Sequence, residues 1–499
     1  MTTQEALSAL SALEAELQAY GHALGCLSYD GETVAPRNSA PARGETMGFL
    51  SGIVHEKITA QKTGEILDAL LSAGDALPLK DRRRAYLLKK QRDDMTLVPA
   101  EEFAAYQQLM AEAMQVWHDA KLASDFAAYA PYLDKIIAYN RRFAARKDAN
   151  KPAYDVLLDG YEEGLSHETL DPFFALLRKE LTPVILEVAK RPRPDTAFLR
   201  QTYPIHLQRK FTDRLMQIMG IDRNDCAVGE TEHPFTTGFN KHDVRITTHY
   251  HEDSVLSSLY SVVHEGGHAL YELGVDDALQ GTVLAGGSSM SIHESQSRFY
   301  ENLIGRSRPF CEVLLPELKA LFPEQMAGVD VEKLYRAANL AEPSLVRTEA
   351  DELTYSIHVM IRYELEKAMI GGDIQTADIP GAWNRMYREY LGVDVPDDRR
   401  GCLQDSHWSF GAIGYFPSYA LGSAYGVQML EHMQKDVDVW GAVRAGDLRP
   451  ITAWLGGKIH RHGQLLTPAQ LVESACGGPF DPGRYVSYLK KKYGALYNL

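Results

Sequence analysis

Residues 261–274 read SVVHEGGHALYELG, and the fold turns on how that stretch is read. Around it Val255, Leu256, Leu259, Val262, Val263 and Leu270 fall at nearly every helical phase, which predicts a helix apolar almost all round and therefore buried. Ser254 or Asp253 is placed to cap its start, and Gly274 to stop it. Yet Gly266 and Gly267 stand mid-helix, where each costs about 1 kcal/mol relative to alanine. The expectation is that a second backbone, from a neighbouring helix or a bound peptide, comes close at that turn.

The same turn carries chemistry. Positions i and i+4 lie about 400° apart around a helix, so His264 and His268 project from one face, close enough to share one metal ion. Glu265 flanks them, completing H-E-x-x-H, in which two imidazoles bind zinc and the glutamate serves as general base toward a metal-bound water. Chance yields this pattern about 0.04 times in a chain of such length and composition. A pair of core histidines, the alternative, leaves a buried Glu265 without a charge partner. Zinc needs a third protein ligand. In GGSSMSIHESQSRFYEN, residues 286–302, Glu294 is the preferred donor and His293 its competitor. Tyr271 stands where a metzincin-type motif places its glycine-spaced continuation, so a nearby third histidine is not indicated.

Helical spacing of apolar residues recurs through most of the chain, as in LSALSALEAELQAY (7–20), PFFALLRKELTPVILEVAKR (172–191) and EKLYRAANL (332–340). Alternation is scarce. Its best instance is HDVRITTHY, 242–250, where Val244, Ile246 and Thr248 alternate with Arg245 and Thr247. A mainly α fold with a small β-sheet follows. The breaker AKRPRPD at 189–195 separates an N-terminal helical region, about 1–190, from a motif-bearing region, about 191–499, within what reads as one catalytic domain over 1–499. No period of repeats appears.

With 499 residues, 45% hydrophobic and 24% charged, the chain is of globular type. Its net charge of −15 argues against nucleic-acid or anionic-membrane partners. The one dense basic run, KDRRRAYLLKKQRDD at 80–94, reads as a solvated helix face. Five scattered cysteines form no CxxC pair and no apolar run approaches a membrane span, which together point to a cytoplasmic, reducing setting.

At this point the chain resembles the carboxypeptidase Taq family of metallocarboxypeptidases. The resemblance rests on HPF (233–235), DVRIT (243–247), HEGGH (264–268), HESQ (293–296) and GCLQDSHW (401–408), in that order, with weaker likeness at PAYDVLLDGYEEG (152–164) and GYFPSYALG (414–422). One box departs: VRTEAD, 346–351, keeps Arg347, Ala350 and Asp351 but lacks the usual Ile and Asn. The resemblance implies a large helical body with a deep active-site groove and a small sheet at its edge, and a homodimer. It implies removal of single residues from free peptide C-termini with broad preference, and one zinc, or cobalt, per subunit.

Further roles follow as expectations. An oxyanion needs a donor, and Tyr415 is preferred over Tyr419 and His407. A terminal carboxylate suits a guanidinium, with Arg245, Arg347 and Arg400 in or beside the boxes; His233, Gln404 and Tyr419 complete the substrate-contacting candidates. Asp351 or Asp405 is expected to hold a ligand histidine by its second nitrogen. Two rivals stand beside this reading: a zinc oligopeptidase or dipeptidyl carboxypeptidase, and a non-catalytic helical interaction protein with an inert metal site.

Overall fold

The computed structural model describes residues 1–499 and contains twenty α-helices and one three-stranded sheet. The HEGGH segment lies in a helix over Val255–Leu273, which begins after Ser254, whose side chain makes no capping hydrogen bond, and ends at Gly274. Most of its apolar residues are buried, as their phases require, with Leu256 and Leu273 partly exposed.

The sheet consists of β1 (Cys226–Glu230), β2 (Thr236–Asn240) and β3 (Asp243–Thr248), in the order β1-β3-β2. β3 is parallel to β1 and antiparallel to β2, which leaves β2 at an edge. The alternation read in the sequence places Val244 and Ile246 in the core against the HEGGH helix. Thr248 joins them, whereas Arg245 stays partly exposed.

The two helical glycines meet two different neighbours. A methyl group at Gly266 would lie 2.7 Å from Met219 Cε, at the end of the helix Ile205–Met219. At Gly267 it would lie 2.7 Å from both Gln296 O and Ser297 Cα. The close approach is therefore between helices, and at Gly267 it is backbone against backbone. That neighbour, the helix Met290–Arg298, carries Glu294, and on its other side Gly422 of the helix Pro417–Met433 leaves room for Glu294 Cβ, 2.7 Å from where a side chain would begin. Glycines on two flanking helices thus set the depth at which Glu294 sits. We expect Gly267→Ala to destabilise the protein by about 1–3 kcal/mol, because a main chain cannot step aside. Gly266→Ala should cost less, since it meets the flexible end of Met219. Thermal unfolding of both variants checks the order, and a Gly267→Ala protein as stable as the parent contradicts it.

The main core cluster runs from Val98 to Tyr497 and crosses the 189–195 breaker, at which the helix His167–Val188 ends. A small separate cluster joins the helix Thr3–Thr33 to its neighbours. Here the basic run departs from expectation. It forms the helix Leu79–Thr96, but Arg84 is buried rather than solvated, paired with the fully buried Glu14 and with Asp81 at 2.7 Å. The guanidinium has enough donors to satisfy both carboxylates and Ser11 Oγ, so its charge is matched inside.

Candidate active site

His264 and His268 leave the same face of the HEGGH helix, and Glu294 comes to meet them from the helix Met290–Arg298. His264 Nε2 lies 3.7 Å and His268 Nε2 3.6 Å from one oxygen, Glu294 Oε2. Donors about 2.1 Å from a tetrahedral zinc are about 3.4 Å apart, so three converging donors at this spacing suit such an ion. All three ligand atoms lie within 4.8 Å of one another.

What aims each imidazole is a partner on its other nitrogen. His264 Nδ1 donates to Glu301 Oε2 at 2.9 Å. Glu301 is brought there by a π-helical turn over Phe299–Gly305, in which Arg306 N reaches back five residues to Glu301 O at 3.0 Å. His268 Nδ1 pairs with His293 Nδ1 at 2.7 Å, and His293 Nε2 with Glu272 Oε1 at 2.7 Å. Glu272 is an acceptor, so His293 carries its proton on Nε2 and receives the Nδ1 proton of His268. Both Nε2 lone pairs are thereby left free to face Glu294. Glu294, the preferred third donor, thus faces both Nε2 atoms, while its competitor His293 pairs with His268 Nδ1. The expectation for Asp351 and Asp405 is corrected, since neither touches His264 or His268. Asp351 binds the backbone N–H groups of Glu342, Leu353 and Thr354, and Asp405 holds arginines.

Charge around the ligands is balanced. Arg298 Nε donates to Glu294 Oε1 at 2.7 Å, while Oε2, which also accepts from Ser297 Oγ at 3.2 Å, faces the histidines, and Arg306 Nη2 donates to Glu301 Oε1 at 2.8 Å. Burial opposes the Glu301 charge, yet Arg298, His264 and Arg306 outweigh it and hold that carboxyl far below the usual range. Glu294, Arg298 and Glu301 are spaced i, i+4 and i+7. That single-face acid–base–acid pattern in HESQSRFYENLIGR was visible in the sequence and is the signal that the sequence reading missed.

Glu265 is 7% exposed and accepts a hydrogen bond on Oε2 from Thr236 Oγ1 of β2, at 2.6 Å. Burial raises its pKa, against the pull of His264 and Thr236. A carboxylate less stable as an anion is a stronger base, which suits proton transfer near neutral pH.

His264, Glu265 and Glu294 open onto a cavity of about 560 Å³ whose walls include Tyr260, Arg347 and Tyr419. The remaining candidates fall as follows. Arg347 is 4% exposed, donates through Nε and Nη2 to Asp405 and through Nη1 to Tyr355 OH, and still borders the cavity. Gln404 lies behind it, its Oε1 accepting from Arg347 N at 2.9 Å, so it secures the loop instead of facing the cavity. Tyr419 is on the wall; His407 Nε2 pairs with its hydroxyl at 3.2 Å, and Tyr415 packs edge-on against it at 5.0 Å between centroids. Burial raises the Tyr415 hydroxyl pKa and Glu294 adds to the rise, while burial lowers His407 to about 4. Arg245 and Arg400 are elsewhere. Each is taken by a local carboxylate, Asp243 at 2.8 Å and Asp397 at 2.9 Å, and neither borders the cavity. His233 is exposed, whereas its neighbour Pro234 lines the cavity. Arg298, Arg306 and Tyr355 line it too, unforeseen.

A metal-ligand triad beside a buried glutamate and a guanidinium-walled cavity invites comparison with known proteins. A profile described as carboxypeptidase Taq (M32) metallopeptidase matches residues 9–493. The chain belongs to the carboxypeptidase Taq (M32) family. It is 37% identical to carboxypeptidase 1 of Bacillus subtilis over 482 residues, 96% of each chain. To thermostable carboxypeptidase 1 of Thermus thermophilus it is 34% identical over the whole of both. Among solved structures, the M32 carboxypeptidase of Deinococcus radiodurans superposes with a TM-score of 0.96 at 36% identity, covering 99% of this chain and all of that one. The chain is accordingly an enzyme of the metallocarboxypeptidase class, a metal-dependent hydrolase acting on peptides. No helix is long and apolar enough to cross a membrane.

For this M32 chain we expect Glu294→Ala to lose bound metal on dialysis, because two imidazoles remain where three donors converged. Full metal retention by that variant, measured by atomic absorption, assigns the third donor elsewhere.

Proposed function

We propose that the protein removes single amino acids from the free C-terminus of peptides, with broad preference, using one divalent ion, zinc or alternatively cobalt, held by His264, His268 and Glu294. The observation that carries this reading is that the ligand triad opens, through His264 and Glu294, onto the cavity that the buried Glu265 and the buried guanidinium of Arg347 also line. A metal at the triad supplies Lewis-acid polarisation of the scissile carbonyl and a more acidic water. Arg347, held by Asp405 and Tyr355 so that its fork needs no reorganisation, receives the terminal carboxylate. Glu265 takes a proton from the attacking water on a carboxylate oxygen and delivers it to the leaving amine. Tyr419, which lines the cavity, and Tyr415, packed edge-on against it, are the hydroxyls available to the developing oxyanion. Glu301 and the His293–Glu272 pair keep both ligand histidines in one tautomer throughout.

The whole chain is read as one catalytic domain, which the core running from Val98 to Tyr497 supports. A cytoplasmic location accords with five unpaired cysteines, four of them buried. Assembly as a homodimer is part of the same reading and rests on the resemblance.

Mass spectrometry of a peptide of about ten residues and its C-terminally amidated twin, with and without chelator, tests the function. The expected result is a chelator-sensitive ladder of single-residue losses from the free C-terminus only. Dipeptide losses or internal cuts that ignore the amide assign an oligopeptidase instead, and no cleavage at all leaves an inert metal site.

A further inference from the structure

Seven residues beyond Glu265 on the same helix, Glu272 borders a second cavity, of about 330 Å³, lying between the helix Thr3–Thr33 and the edge strand β2. The two oxygens of this carboxylate have different surroundings. Oε1 accepts from His293 Nε2 at 2.7 Å and from Gly287 N at 3.1 Å. Oε2 accepts nothing from the protein and is not sealed in. Two glycines make room around it: side chains at Gly238 and Gly286 would begin 2.9 Å and 3.6 Å from Oε2. Burial disfavours the charge, but the hydrogen bonds from His293 Nε2 and Gly287 N outweigh it and hold the carboxyl below its usual range. Among the residues around the cavity Glu272 is the sole acid, and the one lysine, Lys241, is paired with Asp277. An anionic oxygen facing a cavity without a partner calls for a cation.

The place of that cation along a substrate follows from helix geometry. From the HEGGH helix, the cavity that holds Arg347 is lined by residues Leu256 to Glu265, whereas Glu272 lies in the last turn beside β2, so a chain with its terminal carboxylate at Arg347 has its upstream residues directed toward Glu272. Seven helical residues advance about 10.5 Å, which is about three residues of extended chain. We propose that Glu272 binds a cationic group of the peptide, its free amino terminus or a Lys or Arg side chain, about three residues upstream of the scissile bond. This rests on the carboxypeptidase reading and adds to it a preference set on the amino-terminal side. Short peptides then gain most, because their terminal ammonium falls within reach of Glu272.

The test uses the metal-loaded wild type and Glu272→Gln on three tetrapeptides: one with a free amino terminus, its N-acetylated twin, and the acetylated peptide with Lys in first position. In the wild type, acetylation should lower kcat/KM about tenfold or more, the worth of one hydrogen bond to a charged group. Rescue by the lysine peptide assigns the site to side-chain cations as well, and its absence confines the site to the terminal amine. In Glu272→Gln the free and acetylated peptides should agree within about twofold. Taking the ratio within each enzyme cancels any general loss transmitted through His293 to the metal. A wild-type length series needs no variant: acetylating a heptapeptide should change little, since its terminus lies beyond the site. Equal wild-type rates for free and acetylated tetrapeptides overturn the inference alone, as does an undiminished ratio in Glu272→Gln. Cleavage of no peptide overturns the carboxypeptidase reading, and this inference with it.

Discussion

Glu265→Gln is expected to lower kcat at least about a thousandfold with metal content and stability unchanged. The amide fills the same volume and still offers an oxygen to Thr236 Oγ1, which now donates to Glu265 Oε2 at 2.6 Å, so the HEGGH helix and β2 stay docked. His264 and His268 keep their own partners, Glu301 and His293, so the ligand set is untouched. Only the proton acceptor is lost, and general-base catalysis of this kind contributes about 10²–10⁴-fold. Steady-state kinetics at matched metal occupancy measures it. Turnover within tenfold of the wild type would sink the role given to Glu265.

Asp405→Asn is expected to cost about 3–5 kcal/mol of stability, the usual penalty for leaving a buried charge uncompensated. Asp405 stands between two guanidiniums, Arg347 at 2.8 Å and Arg362 at 2.7 Å, whose side chains are 5% and 0% exposed. Arg362 also packs against the Trp383 ring at 4.4 Å, so it has no route to water. Burial pushes the Asp405 carboxyl up, but Arg362 and Arg347 outweigh it and drive its pKa far down. A depressed carboxyl contributes stability in full above its unfolded pKa of about 3.9, and loses it only as pH falls toward the folded value. The gap between variant and wild type should therefore hold from pH 5 to 8 and close only in strong acid. Urea midpoints at several pH values check this, and KM should rise with them because Arg347 loses its anchor. An Asn variant as stable as the parent at pH 7 removes the argument.

Much of the site was legible because it is local. The i, i+4 spacing of His264 and His268 and the position of Glu265 depend only on helix geometry, and the apolar phases that demand a buried helix lie in the same nineteen residues. β3 was legible for the same reason, through alternation over Val244, Ile246 and Thr248. Arg245 and Arg400 were candidates that lie away from the cavity, and their sequence neighbours account for them. Asp243 is two residues from Arg245 along one strand face, and Asp397 is three before Arg400, and each neutralises its arginine locally.

Other roles were beyond local reading. Glu301 shares a helical face with Glu294 and Arg298 in the sequence, but its contact with His264 is made through a π-helical turn, which helical periodicity does not forecast. Arg84 reads as one of many surface cations until Glu14, 70 residues away, is brought beside it. Tyr415, His407 and Tyr419 share one segment of sequence, yet His407 lies in a short 3-10 turn, Tyr415 in the connection after it and Tyr419 on the helix Pro417–Met433, and of the three only Tyr419 lines the cavity.

The sequence alone determined the mainly helical frame and the setting of His264, Glu265 and His268 on one buried helix, because those follow from the spacing of residue types along a single element. Tertiary structure alone decided which partner aims each histidine, which arginine faces the cavity, and how deep Glu294 lies between Gly267 and Gly422. Those depend on which surfaces of distant segments come into contact, and packing settles that one backbone approach at a time.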